Sequence, residues 1–273
     1  MRPALSPSRA ADFKQCPLKF RFRSIDRLDE APSPAAVRGT LVHAVLEEVF
    51  EFPPAQRTPE TARTLLPGRW AALVTERPEL AEMIADDEKL TEDSWLSAAA
   101  RLTDRWFTLE DPSRFEPADR EVKVEVELDG LTLRGVIDRL DVAPTGQVRV
   151  VDYKTGRAPG AGFEGKALFQ MKFYGLVLWR RTGRVPDLLQ LVYLGDGTVI
   201  RYEPDEGDLL ALERNVRAVW AAIERAVAER DFRPSPSRLC SWCDFTPLCP
   251  AFGGTPPPMP AVVDIGTPEV RAD

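Results

Sequence analysis

Asp138, Asp152 and Lys154 are of the types, and at the spacing, that could hold a divalent cation beside a fixed positive charge. They lie in the run LTLRGVIDRLDVAPTGQVRVVDYKTG, the acids fourteen positions apart and the lysine two beyond the second. Two apolar, β-prone segments carry them, joined by Ala143-Pro144-Thr145-Gly146. Side chains alternate along a strand, so Val148, Val150, Asp152 and Lys154 share one face, with Asp152 and Lys154 about 7 Å apart along it. Asp138 on the neighbouring strand can meet them. Carboxylates suit a hard cation, and an ammonium can orient a water or offset developing negative charge. That is equipment for metal-assisted hydrolysis of a phosphodiester. Asp-x-Lys is common by chance. This one ends a valine-rich strand (Val148, Val150, Val151) and precedes Thr155-Gly156, where a charge needs a purpose.

The single histidine, His43, sits in RGTLVHAVLEEVF, where apolar residues at 41, 42, 45, 46, 49 and 50 repeat at helical spacing. His43 and Glu47 are four apart on another sector of that helix. Neutral imidazole is a common metal ligand. His43 with Asp138 and Asp152 makes a partial shell for magnesium or manganese, to be completed by water and a substrate phosphate.

Four cysteines form a second constellation: Cys16 near the start, and Cys240, Cys243 and Cys249 spaced C-x2-C-x5-C near the end. The first residues, MRPALSPS, lack the apolar core of a secretion signal, which disfavours disulfides. Four thiolates suit zinc or an iron–sulfur cluster, and the spacing does not separate the two. Either centre would clasp the two ends of the chain and close a very long loop.

Taken in order, these segments resemble one family. Leu5-Ser6-Pro7-Ser8 with Phe13, Cys16-Pro17 and Phe20 is followed by Gly39-Thr40 through His43 and Glu47. Then come Gly135-Val136-Ile137-Asp138-Arg139, Val151-Asp152-Tyr153-Lys154-Thr155-Gly156, Gln170-Met171-Lys172-Phe173-Tyr174 and the cysteine triplet. Over residues 5–252 the chain is similar to RecB-family nucleases of the PD-(D/E)xK superfamily, in the iron–sulfur branch of CRISPR-associated RecB-like exonucleases and AddB nuclease domains. The first acidic motif departs from the pattern in having Ile137 in place of proline. The resemblance implies a restriction-endonuclease-like α/β core, a central mixed sheet flanked by helices. It also implies DNA cleavage with Mg2+ or Mn2+, in repair or recombination. Further implied are a metal site of His43, Asp138, Asp152 and the Tyr153 carbonyl, with Lys154 catalytic, and a [4Fe–4S] cluster on Cys16, Cys240, Cys243 and Cys249, with zinc the lesser alternative; Gln170 and Tyr174, four apart on a helix, can bind the substrate or else pin that helix to the active-site strand.

The remaining elements must position these residues. A single domain is expected over 1–252, with a helical insertion at 53–115 and a disordered Gly/Pro-rich tail at 253–273. In the insertion Trp70, Trp95 and Trp106 are assigned to core packing rather than base stacking. Val122, Val124, Val126 and Leu128 alternate with charges and mark a half-buried strand, turning at Asp129-Gly130 into the Asp138 strand. Glu121, which opens that strand, is placed at the surface rather than at the ion. Gly156 to Gly165 reads as a flexible loop. The net charge is −7, so binding a polyanion requires a local basic groove. Arg21, Arg23 and Arg27, and Arg180, Arg181 and Arg184, are the clusters that offer one, or else are solvated helix ends. DNA, single-stranded or with a free end, is the expected partner. The chain has no P-loop, so any helicase is separate; it has no membrane span, and the cytoplasm is the expected location.

Overall fold

The strand carrying Asp138 is the hub of a six-stranded mixed sheet. The computed structural model describes residues 3–85, 90–160 and 165–265. Its strands are β1 (Ala4–Leu5), β2 (Asp119–Leu128), β3 (Leu131–Val142), β4 (Val148–Lys154), β5 (Leu188–Tyr193) and β6 (Thr198–Tyr202). The order is β1-β3-β4-β5-β6, with β2 also on β3. β2 and β3 form the expected hairpin, and both turn residues, Asp129 and Gly130, have positive φ, as a tight two-residue turn requires. β4 and β5 are parallel and are linked through a crossover helix.

The helices are α1 (Pro7–Gln15), α2 (Pro17–Ser24), α3 (Pro34–Val49), α4 (Pro59–Glu76), α5 (Glu79–Ala85), α6 (Glu92–Leu109), α7 (Gly165–Thr182) and α8 (Glu206–Glu229). Ser6, Ser33 and Thr58 each cap a helix whose first residue is proline, a pairing that satisfies one orphan N–H and removes another. One sheet face packs Ile137, Val150, Leu189 and Leu191 against α1, α2, α7 and α8. The other packs Val151, Tyr153, Val192 and Leu194 against α3 to α6. Residues 53–115 thus join α3 in the second helical layer of the core. Trp70, Trp95 and Trp106 are buried there, each burial removing roughly 150–250 Å² from water.

Two expectations change. Residues 253–265 do not run free. Arg9 donates to the Ile265 carbonyl (3.1 Å), Arg21 to that of Pro257, and Arg230 to those of Met259 (2.9 Å) and Pro260 (3.1 Å). A proline-rich segment keeps its acceptors, and three arginines of the body supply the donors. Met259, Val263 and Ile265 pack on the core beside them. Residues 266–273 of the expected tail, and 161–164 of the glycine loop, lie outside the described residues. Likewise, the first arginine cluster offers no basic groove. Arg21 pairs with Asp26 (3.0 Å), Arg23 with Asp12 (2.6 Å) and Glu30 (3.0 Å), and Arg27 lies 3.9 Å from Asp264.

Candidate active site

β2 takes one edge of β3 from Leu131 to Leu140, so β1 and β4 must share the other. β1 pairs at Thr132 and Leu133, and β4 at Arg139 to Val142. Between them β3 residues 134–138 face no strand. A cleft of about 960 Å³ opens there, lined by Ser6 and Ser8 at the start of α1, by β3, by the end of β4 and by α7.

The β2–β3 ribbon changes faces at this point. Val122 and Ile137 pack in the core under α7. Arg120 and Arg139, two residues farther along, turn instead to the α3–α6 layer, bonding the Glu47 carbonyl (2.6 Å) and Glu110 (2.7 Å). A regular strand would keep positions i and i+2 on one face. Glu121, in the left-handed region (φ 45°), breaks the alternation. Glu121 and Asp138 sit at the switch, and both line the cleft.

α3 brings His43 to the same place. Its Nε2 lies 3.0 Å from the Tyr153 carbonyl oxygen and its Nδ1 3.6 Å from Asp138 Oδ2. The Tyr153 N–H donates to Asp138 Oδ2 (2.7 Å). Among the described residues, ligand atoms of His43, Glu121 and Asp138 all lie within 4.8 Å of one another. Asp152 borders this group. It is 1 % exposed, and its Oδ2 is met by the Lys154 ammonium at 2.8 Å. α7 completes the arrangement: Lys154 Nζ donates to Gln170 Oε1 (2.9 Å), and Gln170 Nε2 donates to Tyr174 Oη (2.9 Å). Gly135 makes room for this, because a Cβ there would lie 2.5 Å from the Tyr174 ring.

The electrostatics are those of a site short of positive charge. Burial, then the neighbouring Asp152, pushes Asp138 up to about 6. Burial, then Asp138, pushes Glu121 up to about 7. Burial opposes the charge on Lys154, but the Asp152 and Asp138 carboxylates outweigh it and raise its pKa. Three crowded acids and a histidine fit a hard divalent cation.

All the residues singled out for the cleft meet there: His43, Asp138, Asp152, Tyr153 through its peptide, Lys154, Gln170 and Tyr174. Glu121 corrects the reading that put it at the surface. Of the second arginine cluster only Arg181 lines the cleft; Arg180 pairs with Glu213 (2.6 Å) and Arg184 with Asp187 (3.3 Å).

The cysteines occupy a separate place. Cys16, Cys240, Cys243 and Cys249 are free thiols lining one small cavity of about 30 Å³, together with Lys19. Cys16 sits where α1 ends and α2 begins; the other three sit on short 3-10 turns. The N–H groups of Ser235 and Ser237 point at Cys16 Sγ (3.4 Å) and Cys240 Sγ (3.3 Å). Burial and the nearby thiols of Cys16 and Cys240 raise the Cys243 pKa. No three of these sulfurs lie within 4.8 Å of one another.

With the geometry in hand, three relatives are informative. The gene 69 protein of Mycobacterium phage D29 is 26% identical over 278 residues, covering 92% of this chain and 97% of its own. That of Mycobacterium phage L5 is 24% identical over 289 residues, with the same coverage. A crystal structure of a provisionally named exonuclease from Eubacterium rectale superposes with a TM-score of 0.59 at 16% identity, covering 89% of this chain and 86% of that one. Residues 4–250, which include every residue of the cleft and all four cysteines, match the PD-(D/E)XK nuclease superfamily, and the chain belongs to it.

Proposed function

We propose that the protein is a divalent-metal-dependent exodeoxyribonuclease acting on single-stranded DNA or free DNA ends, in repair or recombination. The observation that carries this is the convergence of His43, Glu121 and Asp138 beside the Asp152–Lys154 pair in one open cleft. A Mg2+ or Mn2+ ion held by His43, Glu121 and Asp138, with Asp152 and the Tyr153 carbonyl beside them, would supply Lewis-acid activation of a phosphate oxygen and a water of lowered pKa. Lys154 stays protonated and offsets negative charge on the attacked phosphate. Gln170 fixes that ammonium from α7, and Tyr174 fixes Gln170. Arg181 and Lys123 at the cleft wall supply contacts to the DNA backbone. A cleft of this size suits a polymer better than a small phosphoester. The Eubacterium rectale neighbour, named as an exonuclease, favours attack from an end.

The four cysteines hold a structural [4Fe–4S] cluster in this reading. The resemblance to the iron–sulfur branch favours the cluster over zinc, which four thiolates would also suit. Four reduced thiols suit the cytoplasm, and a helicase would be a separate protein.

The test is anaerobically purified protein with Mn2+ and end-labelled DNA. We expect degradation of linear single strands and none of a closed circle. Cutting of the circle would replace the exonuclease by an endonuclease, and an inert linear substrate would remove the hydrolytic reading.

A further inference from the structure

Behind the acids, on the other side of the sheet, lies a buried polar network that the proposed chemistry does not use. Arg139 and Tyr153 each follow one of the two motif acids, and their side chains turn into the α3–α6 layer. Arg139 is 1 % exposed. Its guanidinium grips both oxygens of Glu110, the residue that ends α6, at 2.7 and 2.8 Å. It also donates to the Tyr153 hydroxyl, and to Asp141 at 3.2 Å. Glu110 accepts further bonds from the Trp106 indole (2.8 Å), the Tyr153 hydroxyl (3.4 Å) and Gln190 on β5 (3.3 Å). The network joins α6, β3, β4 and β5.

A buried ion pair is a poor way to gain stability, since well-packed apolar side chains often do as well. Its position suggests another use. The Tyr153 peptide is the centre of the acid site: its N–H holds Asp138 and its carbonyl faces His43. The Tyr153 ring stands edge-on between those of His43 (6.1 Å) and Trp106 (6.2 Å). Fixing the far end of that ring therefore fixes the peptide, and with it the spacing of His43 and Asp138.

We infer that Glu110, Arg139 and the Tyr153 hydroxyl are positioning residues that set the geometry of the cation site from the opposite face of the sheet, and that they make this geometry depend on helix α6. The inference rests on the proposed metal site. Groups that orient metal ligands typically change metal affinity by about 10- to 100-fold when removed.

Tyr153→Phe is the decisive variant, because it removes one hydroxyl and leaves the Glu110–Arg139 pair and the ring packing in place. Mn2+ binding to the whole protein would be followed by calorimetry, beside thermal melting and DNA cleavage. Asp138→Asn serves as the control for the metal site itself. We expect Tyr153→Phe to bind Mn2+ about tenfold more weakly and to need correspondingly more Mn2+ for half-maximal cleavage, with KM for DNA unchanged. Glu110→Gln, if folded, should shift the same midpoint in the same direction. Wild-type Mn2+ binding by Tyr153→Phe, while Asp138→Asn loses it, would overturn the inference and leave the metal site standing, even if the melting temperature fell. Wild-type binding by Asp138→Asn would remove the metal site and the inference together.

Discussion

The cleft and the cysteine pocket are both sets of candidate metal ligands, yet they are built in opposite ways. The cleft is assembled by regular structure. Its residues come from β2, β3, β4, α3 and α7, and its ligand atoms converge within 4.8 Å on secondary structure alone. The cysteines come from a helix junction and short turns at the two ends of the chain, and share a cavity without closing on one another. The difference teaches what each site asks of the fold. The cleft is a preformed site whose crowded acids are held in place against their repulsion. In the proposed reading the thiol pocket would gain its order from the group its sulfurs bind, and would contribute to stability.

That division can be broken by substitution. A large effect is expected at Lys154. Lys154→Met removes the cation paired with Asp152 and should lower kcat by about 10²- to 10³-fold with little change in KM, the range seen when a donor to developing negative charge is lost. An unchanged kcat would take Lys154 out of the chemistry. Next, Cys243→Ser should lower the melting temperature by more than about 5 °C and abolish the brown colour of a cluster, while the remaining folded protein cleaves at the wild-type rate. A variant that melts normally but fails to cleave would reverse the roles of the two sites.

The smallest effect is a pH dependence of the metal-free protein. The Glu121 pKa is raised to about 7 from an unfolded value near 4.3, so its protonated form favours folding. That stabilisation is complete below about pH 4 and is lost as the pH climbs through 7. Glu121→Gln escapes the loss. In EDTA it should melt roughly 3 °C above wild type at pH 8 and level with it at pH 4, as followed by calorimetry. Equal melting at pH 8 would show that Glu121 is not crowded by the other acids.

Most of the cleft was legible because its residues lie in regular elements whose periodicity shows in the sequence. Asp152 and Lys154 end a strand, Gln170 and Tyr174 are four apart on a helix, and His43 stands off an apolar stripe. Glu121 was misplaced because it belongs to a strand in which Glu121, Lys123, Glu125 and Glu127 alternate with apolar residues and read as a solvent face. The signal that finds it is the hairpin. Counting outward from Asp129-Gly130 sets Leu128 beside Leu131, and brings Glu121 level with Asp138, between the pairs Arg120–Arg139 and Val122–Ile137. The face switch itself was not readable, since positive φ at a glutamate is imposed by the surrounding structure. Arg21, Arg23 and Arg27 misled for a related reason: a run of charges does not reveal partners such as Asp12, Asp26 and Glu30.

The most direct measurement is single-turnover cleavage of end-labelled DNA by wild type and Asp138→Asn, at saturating Mn2+, with melting curves on both. Asn keeps the shape of the side chain and removes the charge at the centre of the cleft. We expect cleavage to fall at least about 10³-fold while melting in EDTA stays level or rises, because a repelled acid has gone. Cleavage by Asp138→Asn at the wild-type rate would contradict the assignment of this cleft as the site of hydrolysis.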